Sequence, residues 1–326
     1  MGGDGGPDVT VPATKRFLAD YPDIDVTLYG RENALSAHLS RDPSLTDAVI
    51  SQRLHIEFCP EVVLDDEPPS SALRNKQNSS MWQSLECVAS DNAEACVSAG
   101  NTGALMAMGI KLLGLANAIE RPAICAVLPG GQGWLYLLDV GANVDCSAHQ
   151  LHQFATMATT LVSLVENIDR PGCALLNIGQ EATKGNKLVK EAAVLLDDDP
   201  GLNYRGFVEA DQFFSSPVKI IVSDGFSGNI ALKATEGAAR YVLDRVLSEP
   251  STGSTRNLSK ANGGTPLTLD PGRYNGAALL GLKSMVVKSH GGADEAGFYG
   301  ALKTAARAVT SGVAEGVCRH FEQISQ

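Results

Sequence analysis

The chain has 326 residues, 44% hydrophobic and 19% charged, enough apolar material for a large packed core; a disulfide-stapled miniprotein and a disordered chain are excluded. Lys and Arg total 26 against 37 Asp and Glu, and a net charge of −11 repels a phosphate backbone, so nucleic acid is excluded as the main partner. The seven cysteines, odd in number and never spaced C-x-x-C, encode neither a disulfide framework nor a zinc site and fit a reducing cytoplasm.

In chain order, β-branched or Leu-rich runs predict strands at 26–29, 54–58, 95–97, 124–128, 135–140, 174–178, 219–222 and 285–288. Most are too continuously apolar for a half-exposed sheet, so they read as buried strands covered on both faces. Between them, apolar positions return every three or four residues over 102–117, 149–168, 187–196, 229–247 and 295–324, which predicts helices. Strands alternating with helices of this length predict a single α/β domain over 1–326. Its fold class is a doubly wound, mostly parallel sheet with right-handed crossovers and helices on both faces.

Two stretches break the alternation. Residues 62–80, with the acidic DDEPP and the basic Arg74 and Lys76, read as an irregular link to the main sheet and a candidate lid or interface segment. Residues 248–273 are polar and rich in Gly and Ser, and read as a surface loop. The most apolar helical stretch, 104–119, is interrupted by Lys111 and too short to span a bilayer. With no basic-then-apolar leader at the start, the expectation is a soluble, unexported protein.

Five strand ends open into small-residue turns: CVSAGNTGALM, LLDVGANVDC, LLNIGQEATKGN, IIVSDGFSGNIALK and VVKSHGGADEAG. In an open parallel sheet the C-terminal strand ends share one edge, so these turns are expected to converge there. Glycine lets backbone N–H groups approach an anion, and each following helix offers unpaired amides, so phosphate is the expected ligand. None of the turns is a Walker sequence or a G-x-G-x-x-G, and neither a nucleoside triphosphate nor a dinucleotide is specifically indicated.

Asn101, Asn143 and Asn229 each follow a Gly or Gly-Ala, and Asp139, Asp145 and Asp224 sit at or just beyond strand ends. For the carboxylates, loop bracing or helix capping is the alternative to ligand binding. Lys184, in the third turn, is long enough to swing over an anion at the strand ends, or is simply solvated. His290 follows a strand directly and is the only histidine expected on that edge; His38, His55, His149, His152 and His320 fall elsewhere. No nucleophile elbow is present and no cysteine has an activating context, so a covalent enzyme intermediate is not expected.

In order and spacing, MGGDGGP, NSSM, SAGNTGALM, IERPA, LLDVGANVDC, LLNIG with KGN, SDGFSGNIALKATEG and YNGAALLGLKSMVVKSHG resemble the bacterial phosphate acyltransferases of the PlsX family, almost end to end. The resemblance implies a doubly wound α/β homodimer related to phosphotransacetylases and isopropylmalate dehydrogenases. It also implies transfer of a fatty acyl group from acyl carrier protein to inorganic phosphate, for phospholipid synthesis, without metal or redox cofactor. Lys184 of KGN and Asn229 of DGFSGN are implied as the catalytic pair. Substrate and phosphate binding is expected of Asp4, Ser98, Gly100, Asn101, Thr102, Gly103, Asp139, Gly141, Asn143, Asp145, Asp224, Ser227, Gly228 and His290.

Two departures from the family pattern carry expectations. The family has an apolar strand ending in Asp-Ala before Met-Gly-Gly-Asp, whereas this sequence starts at Met1, so a central strand and a carboxylate are expected to be lacking. Residues 248–273 stand where the family has an amphipathic hairpin, and their polarity removes the driving force for interfacial anchoring; a cytoplasmic protein with at most weak membrane contact is expected. Docking of an acidic carrier protein needs a local basic patch, for which Arg74, Lys76, Lys184, Lys187 and Lys190 are candidates. A phosphate acyltransferase using acyl-coenzyme A, and a catalytically impaired scaffold homologue, stand as alternatives.

Overall fold

The computed structural model describes residues 1–41, 52–131, 133–248 and 274–324. All but the first residue of the expected polar loop at 248–273 lies outside these described residues. In chain order the elements are α1 (Pro7–Asp20), β1 (Val26–Gly30), α2 (Glu32–Arg41), β2 (Leu54–Phe58), α3 (Pro69–Asn75), α4 (Ser80–Ala89), β3 (Ala95–Ser98) and α5 (Thr102–Leu113). They continue with β4 (Ala123–Gly130), β5 (Gly133–Leu138), α6 (Ala148–Glu166), β6 (Gly172–Leu176), α7 (Lys187–Asp198), β7 (Asn203–Val208), β8 (Ile220–Val222) and α8 (Gly225–Ser248). The last are β9 (Ala277–Leu280), β10 (Met285–Lys288), α9 (Glu295–Thr310) and α10 (Val313–Ile324).

The main sheet has eight strands in the order β3-β10-β9-β4-β5-β8-β6-β7, and β1 and β2 form a separate parallel pair. Pairing is parallel between β3 and β10 and across β5, β8, β6 and β7, but antiparallel for β10–β9, β9–β4 and β4–β5. A mostly parallel α/β sheet is thus present, with a reversal in its middle. That reversal corrects the expectation of one convergent edge. Because β4 and β5 make a hairpin and β9 runs against both neighbours, the C-terminal ends of β3 and β10 lie at one end of the sheet. Those of β5, β8, β6 and β7 lie at the other.

Alternate side chains enter two cores, as a pleated strand requires. Cys125, Tyr136, Leu138, Leu175 and Val222 face Phe154 and Met157 of α6, Ala301 of α9 and Phe321 of α10. Ile124, Ala126, Leu135, Leu137, Ile221 and Val286 face Leu85 of α4 and Leu105 and Met108 of α5. Each large side chain fully buried in this way contributes about 1.5–3 kcal/mol, which is why the strands read as unbroken apolar runs.

Local signals set the helix ends. Ser147 caps α6 and forms a reciprocal capping box with Gln150, and Asn167 closes the helix in the left-handed conformation at φ 55°. The single helix expected over 295–324 is two, because Gly312, at φ 64°, turns the chain between α9 and α10. The stretch 62–80, expected to be irregular, holds α3, and β7 and β9 arise where no strand was anticipated.

Candidate active site at the ends of β5, β8 and β6

Asp139, the residue after β5, is 0% exposed. Its Oδ1 accepts from the backbone N–H of Ile124 (2.9 Å) and Ala142 (3.1 Å), and its Oδ2 from the N–H (2.7 Å) and Nδ2 (3.0 Å) of Asn143. Burial pushes its carboxyl above the usual carboxylate range, and these hydrogen bonds pull the other way. Asn143 also donates from Nδ2 to the carbonyl of Pro122 at 2.8 Å. Asp139 therefore ties the start of β4 to the turn after β5.

That turn is locked in turn to the β8–α8 junction. Asp139 and Ser223 exchange backbone and side-chain bonds, with Asp139 N donating to Ser223 O at 3.0 Å and Ser223 Oγ to Asp139 O at 3.3 Å. Gly225 N donates to the Asn143 carbonyl at 2.8 Å. The two turns meet at main-chain distance: a Cβ on Gly228 would lie 2.0 Å from Asp139 O. Asn229, the fifth residue of α8, lies over Gly141, where a Cβ would stand 3.1 Å from its Nδ2. Asp224 accepts from the N–H and Oγ of Ser227 at 2.8 and 2.9 Å, a capping arrangement. Asp145 is exposed; with Asp139 and Asp224 it reinforces the burial that pushes the Cys146 thiol up to about 12.

The loop after β6 carries Lys184 on the same sheet end. Buried Asn177 donates from Nδ2 to Gly179 O at 3.0 Å and wedges against Gly185, whose φ of 87° suits only glycine comfortably. Lys184 N donates to Glu181 O at 3.0 Å, and Asn186 caps α7 through Val189 N at 2.9 Å. The exposed Lys184 side chain thus springs from a loop pinned on both sides. With β6 and β8 adjacent in the sheet, Lys184 and Asn229 share one sheet end.

The remaining candidates gather at the opposite end. Asp4 N donates to Gly291 O at 2.8 Å, which brings the first residues over the β10 turn. Asn101 Oδ1 caps α5 through Ala104 N at 3.0 Å, while Nδ2 donates to the carbonyls of Leu64 (3.1 Å), Asp65 (3.0 Å) and Glu67 (2.9 Å). Thr102 and Gly103 open that helix, and Ser98 Oγ accepts from Gly100 N at 3.3 Å. His290 stands here too, its Nδ1 accepting from Gly292 N at 3.1 Å, so it is not on the edge of Lys184 and Asn229.

Sequence reasoning passed over Lys288 at this second end. Its Nζ donates to Ala99 O at 3.2 Å and to Ser289 O, and desolvation lowers its amine to about 8, partly offset by Asp65. Among the described residues no group of three or more His, Cys, Asp or Glu could hold a metal ion, and no helix is long and apolar enough to cross a membrane.

An α/β sheet of this order with glycine-rich turns at its ends has the phosphotransacetylase fold. A phosphotransacetylase from Streptococcus pyogenes superposes with a TM-score of 0.60 at 15% identity, over 96% of this chain and 92% of that one. A branched-chain phosphotransacylase from Enterococcus faecalis V583 superposes with a TM-score of 0.54 at 14% identity, over 94% and 97%. Residues 1–316 match the family described as "Fatty acid synthesis protein". The phosphate acyltransferase of Cellvibrio japonicus is 44% identical over 338 residues, covering 100% of this chain and 96% of that protein. Those of Saccharophagus degradans and Legionella pneumophila strain Paris are 43% and 45% identical, covering 96% and 97% of this chain and 91% and 92% of theirs. The chain belongs to this family of phosphate acyltransferases.

Proposed function

We propose that the chain transfers a fatty acyl group from acyl carrier protein to inorganic phosphate, giving acyl phosphate for phospholipid synthesis. The observation that carries the reading is the presence of Lys184 and Asn229 on one sheet end, beside glycine-rich turns, in a member of the phosphate acyltransferase family. A phosphate oxygen attacks the thioester carbonyl carbon, the C–S bond breaks as the tetrahedral intermediate collapses, and the carrier thiolate leaves and takes up a proton. A thiol of pKa about 8.5 is already a fair leaving group, so the site's work is positioning two reactants and offsetting charge. Lys184 neutralises the phosphate and the developing oxyanion, and Asn229 Nδ2 donates to the carbonyl oxygen.

Gly141, Gly228, Asp224 and Ser227 shape the nest beside Asn229, and Asp139 with Asn143 holds it in place. Lys184, Lys187 and Lys190 lie on the β6–α7 loop and α7, and would receive an acidic carrier protein; Arg74 and Lys76 lie apart, at α3. Exposed Val144, Ile178, Phe226 and Ile230 flank the same sheet end, apolar surface that suits a homodimer contact of a cytoplasmic protein. Acyl carrier protein as donor, rather than coenzyme A, is tested by thiol release from matched thioesters of equal chain length. A higher kcat/KM with the carrier-protein thioester is expected; preference for the coenzyme A thioester refutes the donor assignment.

A further inference from the structure

A cavity of about 500 Å³ lies between the main sheet and helices α6 and α9, within the size range of small-molecule sites. Its floor is the inward face of three strands, Cys125 and Val127 of β4, Tyr136 of β5 and Ala278 of β9, and its wall is Leu161 of α6. Trp134 and Tyr274 stack edge to face at 5.5 Å along its rim, so the walls are apolar and aromatic. None of the candidate catalytic or phosphate-binding residues lines it. It reaches Trp134 and Gly276, at the starting ends of β5 and β9, away from the sheet end of Lys184 and Asn229.

The rim charges are not balanced. Arg307 donates to Glu166 Oε1 at 3.0 Å, and Tyr136 Oη donates to the same oxygen at 2.7 Å, so that carboxylate is answered inside the protein. Lys303 also lines the cavity, and among the described residues its Nζ makes no ion pair with a carboxylate; it lies 5.6 Å from the centre of the Tyr299 ring. A largely apolar chamber of this volume with a cation at its rim that has no carboxylate partner among the described residues is complementary to a hydrocarbon chain carrying one anionic head.

We propose that this cavity is a second binding site, separate from the catalytic end of the sheet, for a single-chain anionic amphiphile. The chain fills the space over β4, β5 and β9, and the head meets Lys303. A fatty carboxylate and a fatty acyl phosphate share that chemistry. The proposal does not rest on the acyl-transfer reading, because binding is measured without phosphate, thioester or turnover.

The chain's two tryptophans make the test direct: Trp82 is 8% exposed and remote from the cavity lining, whereas Trp134 is 39% exposed and on its rim. In a Trp82→Phe background, Trp134 fluorescence is titrated with octanoate, decanoate, dodecanoate and tetradecanoate below their micelle concentrations, beside dodecanol and dodecyl phosphate. Each added methylene is expected to tighten binding about fourfold until the chamber is full, which is about 15-fold per two-carbon step. Lys303→Glu is expected to weaken dodecanoate and dodecyl phosphate about tenfold or more and to leave dodecanol unchanged. A stronger effect on the phosphate than on the carboxylate would identify acyl phosphate as the preferred source, and the reverse a fatty acid. Thr304→Phe, which fills the chamber, should abolish binding of all three; if it fails to fold, the surface variant at Lys303 still decides the matter. No saturable change, affinity independent of chain length, or equal weakening of dodecanol by Lys303→Glu overturns the proposal.

Discussion

Replacing Asp139 by alanine removes the carboxylate that, together with the Asn143 amide, joins the start of β4 to the turn on which Asn229 rests. Four N–H donors lose their acceptor: those of Ile124, Ala142 and Asn143, and the Asn143 side-chain amide. A buried donor left unpaired costs about 1–3 kcal/mol. Water entering the space answers some of the four, so the net loss is about 3 kcal/mol or more, a large part of the ~5–15 kcal/mol that holds a typical domain together. Asp139→Asn is expected to fail as well: whichever way the amide points, two of the donors meet an NH₂ group instead of an oxygen. Urea unfolding is the assay, with the midpoint moving to lower denaturant at constant slope. An alanine variant that unfolds within about 0.5 kcal/mol of the wild type, the ordinary scatter of a surface substitution, contradicts this bracing role of Asp139.

Lys288 predicts a pH dependence. Its amine is lowered to about 8, so between that pH and the unfolded value near 10.4 the unfolded chain holds a proton the folded chain has lost. Stability therefore rises with pH in that window, by about 1.4 kcal/mol per unit, and the stability of wild type minus that of Lys288→Met should grow accordingly from about pH 8 to about pH 10. A difference that stays flat or falls contradicts the buried setting of this amine. Two glycines of α8 should respond oppositely to alanine. At Gly228 the new Cβ would stand 2.0 Å from a main-chain oxygen, and a loss of about 1–3 kcal/mol or more is expected in thermal unfolding. At Gly237 nothing lies within 4 Å, and a gain of about 0.5–1 kcal/mol is expected from helix propensity. Lys184→Ala and Asn229→Ala should each lower kcat by about 10²- to 10³-fold, with unfolding midpoints close to wild type.

What was legible in the sequence was the local chemistry. The runs at 54–58 and 285–288 match β2 and β10 residue for residue. In β10 the buried Met285, Val286 and Val287 are apolar because both faces of the main sheet are covered, whereas β2, paired only with β1, leaves His55, Glu57 and Phe58 exposed and does not meet the expectation of a strand covered on both faces. The first helix was missed because Pro7 and Pro12 look like breakers, although Pro7 sits at the helix start, where its missing N–H has no partner to lose. β9, Ala277–Leu280, was hidden in a small-residue run without contrast at its borders. The direction of each strand is a tertiary property: the runs at 124–128 and 135–140 look alike whether a hairpin or a crossover joins them. That ambiguity merged two groups of turns, at opposite ends of the sheet, into one expected edge.

The site was legible to the same depth. Asp139, Asn143 and Asp224 were visible as turn residues, and bracing and capping were weighed for the carboxylates. Their partners were not visible, since Asp139 draws donors from Ile124 on another strand and Gly225 N reaches Asn143 across two turns. Lys288 was passed over because desolvation of its amine depends on how the β3 and β10 turns pack together.

The measurement that bears most directly on the central claim is thiol release from a long-chain acyl carrier protein thioester with and without inorganic phosphate, with hydroxylamine trapping of the product. Release that requires phosphate and yields a trapped hydroxamate is the expected result. Release that proceeds equally without phosphate, or none from a folded sample, contradicts it.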